Sequence, residues 1–202
     1  MMWIIRGLRK GVITSGYPKA VSDEELPSAV PLKAPSECPF GALRDGELDY
    51  SKCLFCRLCN TEFGRKAEMS SVERPLQFRR SLHVFFLDTG TCHACNREMA
   101  LLGGPNYDIH RLRVFFTPTP KHADVLLVAG CPTDDMVPVL KEAYELMPEP
   151  KRVLVMGSCA QGALCGRKVE DYVPVDGHID GCPPAPLNII EGLLKIAGRE
   201  IR

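Results

Sequence analysis

Apolar and polar residues change their arrangement near residue 80. Beyond it, short apolar strings, LHVFFL (82–87), LRVFF (112–116), DVLLVAG (124–130) and RVLVMG (152–157), alternate with stretches of helical periodicity. Strings apolar at successive positions belong to strands covered on both faces, so the alternation predicts a parallel sheet flanked by helices. Between the last two strings, Met136, Leu140, Ala143, Tyr144 and Met147 recur at helical spacing behind Thr133, Asp134 and Asp135, a helix start whose first turn tolerates Pro138. A right-handed crossover then joins the two strands. A last helix over about 186–197 opens on prolines and closes at Gly198.

Before residue 80 the pattern differs. Ile4, Ile5, Leu8 and Val12 share one arc of a helical wheel opposite Arg6, Arg9 and Lys10, which predicts an amphipathic helix over 2–12. Such a helix suits a membrane surface or a docking face on the rest of the protein or a neighbouring subunit. Residues 17–36 carry Pro18, Pro27, Pro31 and Pro35 and read as an extended arm, and residues 61–80 are charged without apolar periodicity. The chain therefore divides into a helix and arm (1–30), a small cysteine-bearing module (31–66) and an α/β domain (80–202).

Composition removes several function classes. Lysine and arginine number 25 and aspartate and glutamate 25, so the chain lacks the net positive charge that nucleic-acid binding needs. The longest apolar strings fall well short of the roughly 20 residues of a membrane-spanning helix, and MMWII before Arg6 is too short for a secretory signal. A reducing, cytoplasmic setting is expected, where the 10 cysteines point to metal or redox chemistry rather than a disulfide framework.

Spacing sorts these cysteines. Cys53, Cys56 and Cys59 form C-x2-C-x2-C in KCLFCRLC, which turns three thiolates toward one centre in the manner of a cubane iron-sulfur site. No cysteine follows Cys59 closely. The fourth ligand is expected upstream at Cys38, in SECPFGAL, because paired clusters exchange their fourth cysteines. Residues 36–60 resemble the middle of a bacterial-type ferredoxin, of which one cluster survives here. So short a piece gains its stability from metal ligation, and the alternative is zinc held by the same four thiolates.

Open parallel sheets bind ligands beyond the carboxyl ends of their strands. Cys92 and Cys95 follow the string 82–87, Cys159 follows 152–157, and Cys182 sits in DGCPPAP before the last helix. Glycines at 90, 157 and 181 allow close backbone approach. Four thiolates from three loops on one rim read as a second [4Fe-4S] site, the alternative for Cys92 and Cys95 being a thioredoxin-like dithiol pair.

The strings TGTCHACNREM, PKHADVLLVAG, VPVLKEAYELMPEPKRVLVMGSCA and DGCPPAPLNIIEGLL, in that order, resemble the small electron-transferring subunit shared by complex I (20 kDa, or B, subunit) and membrane-bound group 4 [NiFe] hydrogenases. The resemblance implies a flavodoxin-like open sheet, fused here to a small ferredoxin-like module. It also implies one [4Fe-4S] cluster on Cys92, Cys95, Cys159 and Cys182, facing a large catalytic subunit. The C-x2-C pair followed by Asn96 and Glu98 resembles the hydrogenase branch, whereas complex I proper has adjacent cysteines. This sequence departs from the family in its short span between Cys159 and Cys182, in Cys165, in Cys131 where proline is expected, and in the ferredoxin-like half-module itself.

The resulting expectation is an electron-transfer subunit carrying two [4Fe-4S] clusters, on Cys38, Cys53, Cys56 and Cys59 and on Cys92, Cys95, Cys159 and Cys182. It has no catalytic residues of its own and sits peripherally on the inner face of the cell membrane, with a large hydrogenase or hydrogenlyase-type partner and further iron-sulfur and membrane subunits. The alternatives are a quinone-reducing, NADH dehydrogenase-like B subunit and a zinc-stabilised interaction module. Cys131 and Cys165 read as small buried hydrophobes, with Cys131 a possible replacement ligand. Glu98 reads as a proton relay or a solvated helix residue, and His122 as structural.

Overall fold

The computed structural model describes residues 2–11, 16, 30–64, 69–75 and 80–199. Val12 of the expected first helix and residues 17–29 of the expected arm lie outside the described residues. Helix α1 (Met2–Lys10) is two residues shorter than the expected range, and the Gly11 N–H bonds to the Gly7 carbonyl. Ile4, Ile5 and Leu8 remain exposed along it.

Among the described residues between α1 and the sheet are four very short strands. β1 (Val30–Pro31) later pairs antiparallel with β4 (Phe63–Gly64), and β2 (Leu43–Arg44) and β3 (Glu47–Leu48) form a hairpin around Asp45 and Gly46. Both turn residues have positive φ, as tight hairpin turns require. The Tyr50 hydroxyl donates to the Pro31 carbonyl at 2.7 Å and ties the hairpin to β1.

The main sheet contains β5 (Ser70–Val72), β6 (Leu82–Asp88), β7 (Val114–Phe116), β8 (Val125–Ala129), β9 (Arg152–Met156) and β10 (Gly177–Ile179), in the spatial order β5-β10-β9-β8-β6-β7. All neighbours run parallel except β5 on β10. The five parallel strands, taken in chain order, have the 2-1-3-4-5 arrangement of an open flavodoxin-like sheet.

Helices α2 (Ala94–Leu102), α3 (Met136–Leu146) and α4 (Pro186–Ile196) cover it. α2 and α4 pack with Leu82, Val84, Leu127, Leu154 and Ile179 on one face; α3 packs with Leu126, Val128, Val153 and Val155 on the other. Every residue of β8 is buried, and each large apolar side chain there contributes about 1.5–3 kcal/mol. The helix start expected at 133–135 is made by backbone: Asp135 caps nothing with its side chain, and the Thr133 carbonyl accepts the N–H groups of Met136 and Val137.

Three local differences from the sequence pattern have physical causes. Residues 109–112 form a 3-10 turn, and Arg113 takes a left-handed conformation, so β7 begins at Val114. Ser70–Val72, inside the charged stretch, forms a sixth strand because β10 offers it an antiparallel edge. Its far end is held by the buried Asp176 carboxylate, which lies 2.9 Å from Arg74 and accepts the Val153 N–H at 2.9 Å.

Candidate functional site

The carboxyl edge of the sheet gathers three loops. After β6, Asp88 turns its carboxylate back on the chain: Oδ1 accepts the N–H groups of Gly90 and Thr91 at 2.9 Å, and Oδ2 accepts the Asn96 amide at 2.8 Å. The Thr91 hydroxyl lies 2.8 Å from Asp88 Oδ2 and accepts the His93 N–H at 3.1 Å. These bonds fix the loop from which α2 departs, with Cys92 exposed before it and Cys95 buried in its first turn. Burial works to raise the Asp88 pKa, but the hydrogen bonds from Gly90, Asn96 and Thr91 outweigh it and hold the carboxyl below its usual range.

Cys159 follows β9 and Cys182 follows β10, both half-buried. Cys92, Cys95, Cys159 and Cys182 line one recess, floored by Gly130, Ser158 and Gly181. Gly157 has φ +86°, and a Cβ there would stand 3.1 Å from Cys95 Sγ, so the absent side chain is part of the room in which the thiols meet. The thiols feel one another. Burial, then the fields of Cys159 and Cys92, push the Cys95 thiol up to about 12. A hydrogen bond between Cys182 and Cys159 lowers Cys159 to about 7 and, with burial, raises Cys182.

The small module builds a comparable recess. Cys38 precedes the β2–β3 hairpin, and Cys53, Cys56 and Cys59 follow it on a loop in which Phe55 and Arg57 take positive φ. The four cysteines line a recess walled by Pro35, Phe40 and Phe63. Cys53 is buried, and burial, then the neighbouring thiols at 59, 38 and 56, raise its pKa. The Ala42 N–H donates to Cys38 Sγ at 3.3 Å. Each sulfur set is thus brought together, with a donor set of thiols in an apolar pocket that suits a sulfur-rich metal cluster. Among the described residues no group of three or more His, Cys, Asp or Glu side chains is arranged to hold a metal ion.

Cys131 and Cys165 depart from expectation. They are neither separate buried hydrophobes nor ligands: a disulfide joins them across 34 positions, from the loop after β8 to the loop that carries Cys159. Arg167 reinforces this link through Asp134. Glu98 is half-buried on α2, and burial raises its pKa against the lowering field of Arg97. His122 is exposed on a 3-10 turn before β8. The sequence reading missed Asp88, whose i+8 partner Asn96 gave no local signal, and Ser158, whose partner lies 105 positions away.

Residues 92–196 match the family described as NADH ubiquinone oxidoreductase, 20 Kd subunit. An uncharacterized protein of Methanocaldococcus jannaschii is 42% identical over 130 residues, 61% of this chain and 87% of the relative. A chain of the membrane-bound sulfane sulfur reductase, an archaeal respiratory membrane complex, superposes with a TM-score of 0.52 and 29% identity over 59% of this chain and 70% of that one. A chain of an NAD+-reducing [NiFe]-hydrogenase gives a TM-score of 0.46 and 18% identity, over 61% and 95% of the two chains.

Proposed function

The chain belongs to the NADH ubiquinone oxidoreductase 20 Kd subunit family, and from that premise we propose that it is the electron-transfer subunit of a membrane-associated, respiratory-type oxidoreductase of hydrogenase or hydrogenlyase type. In this reading Cys92, Cys95, Cys159 and Cys182 hold one [4Fe-4S] cluster, and Cys38, Cys53, Cys56 and Cys59 hold another. The observation that carries it is the convergence of four thiols from three separate loops on one recess at the carboxyl edge of the sheet. When bound, such clusters supply reversible one-electron chemistry whose potential follows hydrogen bonding and burial around the sulfurs.

The chain's own groups do the holding. Asp88, Thr91 and Asn96 orient the Cys92 loop, and the glycine backbone at 157 makes room beside Cys95. The N–H of Ala42 donates to Cys38 Sγ and so orients that sulfur toward its recess. Cys92 stands exposed at the mouth of its recess, the side from which a large catalytic subunit would approach. No helix among the described residues is long and apolar enough to cross a membrane, so attachment to the inner face of the cell membrane is assigned to partner subunits, as suits kinship with a chain of an archaeal respiratory membrane complex. The C-x2-C-N-x-E string at 92–98 supports the hydrogenase branch over a quinone-reducing one.

Anaerobic purification with assays of iron, acid-labile sulfide and zinc tests the proposal. Iron and sulfide in equal amounts, about eight of each per chain for two cubane clusters, are expected. A colourless protein containing zinc would replace it with the interaction-module reading.

A further inference from the structure

A third cavity, distinct from both thiol recesses, opens at the seam between the small module and the sheet, with a volume of about 200 Å3. One wall comes from the β2–β3 hairpin and its exit, with Arg44, Asp49 and Lys52; the other comes from β10 and the loop beyond Cys159, with His178, Lys168 and Glu170. The acids are already engaged. Asp49 Oδ1 accepts the Ser51 N–H at 3.0 Å, its Oδ2 faces Arg44 Nε at 3.9 Å, and Glu170 accepts Lys168 Nζ at 2.6 Å.

The cationic side is left with capacity. Lys52 is half-buried, and its ammonium has no ion pair among the described residues. The His178 Nδ1 is buried without a hydrogen-bond partner. Arg44 and Lys168 line the same cavity from opposite sides of the seam. The Lys52 ammonium, which has no ion pair among the described residues, and the Arg44 and Lys168 cations lining the same cavity can offer charge-assisted contacts to one multivalent anion.

We propose that this seam cavity is a binding site for a soluble phosphate-class oxyanion, gripped by Arg44 and Lys52 from one module and by Lys168 from the other. The ligand spans the seam and so stabilises the docking of the small module on the sheet. The cavity shares no cysteine with the two thiol recesses, and the phosphate it would hold is read out separately from iron and sulfide.

Equilibrium dialysis of the full chain against inorganic phosphate tests it. Saturable binding of one phosphate per chain is expected, weakened about tenfold in Lys52→Gln, which loses a charge-assisted contact, and tightened in Glu170→Gln, which removes a competing acid. Lys10→Gln, on α1, leaves the affinity unchanged. The gain expected in Glu170→Gln separates the proposal from mere misfolding. Absence of saturable binding, equal affinity in Lys52→Gln, or no gain in Glu170→Gln would overturn it. Sedimentation of the chain with phosphatidic-acid vesicles without binding of the free ion would likewise overturn it, in favour of a lipid surface.

Discussion

The Ser158 hydroxyl donates a hydrogen bond of 3.0 Å to the backbone carbonyl of Cys53, and lies 3.3 Å from the carbonyl of Gly181. One buried side chain on the floor of the sheet-edge recess therefore touches the backbone of a cysteine in the other thiol set and of the residue before Cys182. This hydroxyl links the backbones of the two recesses.

Ser158→Ala leaves a buried carbonyl unpaired, which costs about 1–2 kcal/mol. A fall in Tm of about 2–8 °C is expected in a chain of this size. Ser158→Thr, which keeps the hydroxyl, should recover part of it. Calorimetry of the three proteins checks this, and an unchanged Tm in the alanine variant would show that the bond carries no weight.

Asp88 makes stability pH-dependent. Its folded-state pKa is depressed, so the stabilisation is present above the unfolded-state value and is lost as pH falls through the folded one. In Asp88→Asn this part of the acid-side slope disappears, and stability at neutral pH falls by about 1–3 kcal/mol because the amide cannot reproduce all the contacts of the carboxylate. Urea denaturation at a series of acid pH values measures both effects, and identical pH profiles would refute the assignment.

The disulfide between Cys131 and Cys165 closes a loop of 34 positions, for which chain-entropy arguments give about 3–4 kcal/mol. Cys131→Ser should lower the stability of the oxidised chain by about that amount while leaving its iron content unchanged. Alkylation of the unfolded, metal-free chain should label eight cysteines before reduction and ten after it. Ten labels before reduction would show that the bond does not form.

The central strands β6, β8 and β9 were legible because strands covered on both faces must be apolar at nearly every position. β5 and β10, three residues each, were not: Ser70–Val72 and Gly177–Ile179 carry too few apolar side chains to declare a strand, and their pairing comes from tertiary context. The cysteines of each set were legible as groups by spacing and by strand ends. The disulfide was not, because spacing does not say which loops meet, and the contact of Cys131 with Cys165 exists once the β8 and β9 loops lie side by side. Ser158 escaped for the same reason, since its role depends on a partner brought near by folding.

The most direct test of the account is the iron and sulfide content of Cys53→Ser, Cys95→Ser and the double variant, purified anaerobically beside the unaltered chain. Two independent four-thiolate sets predict that each single variant loses about half of the metal and the double variant nearly all of it. Full iron content in either single variant, or loss of all iron from both, would contradict the assignment of one cluster to each recess.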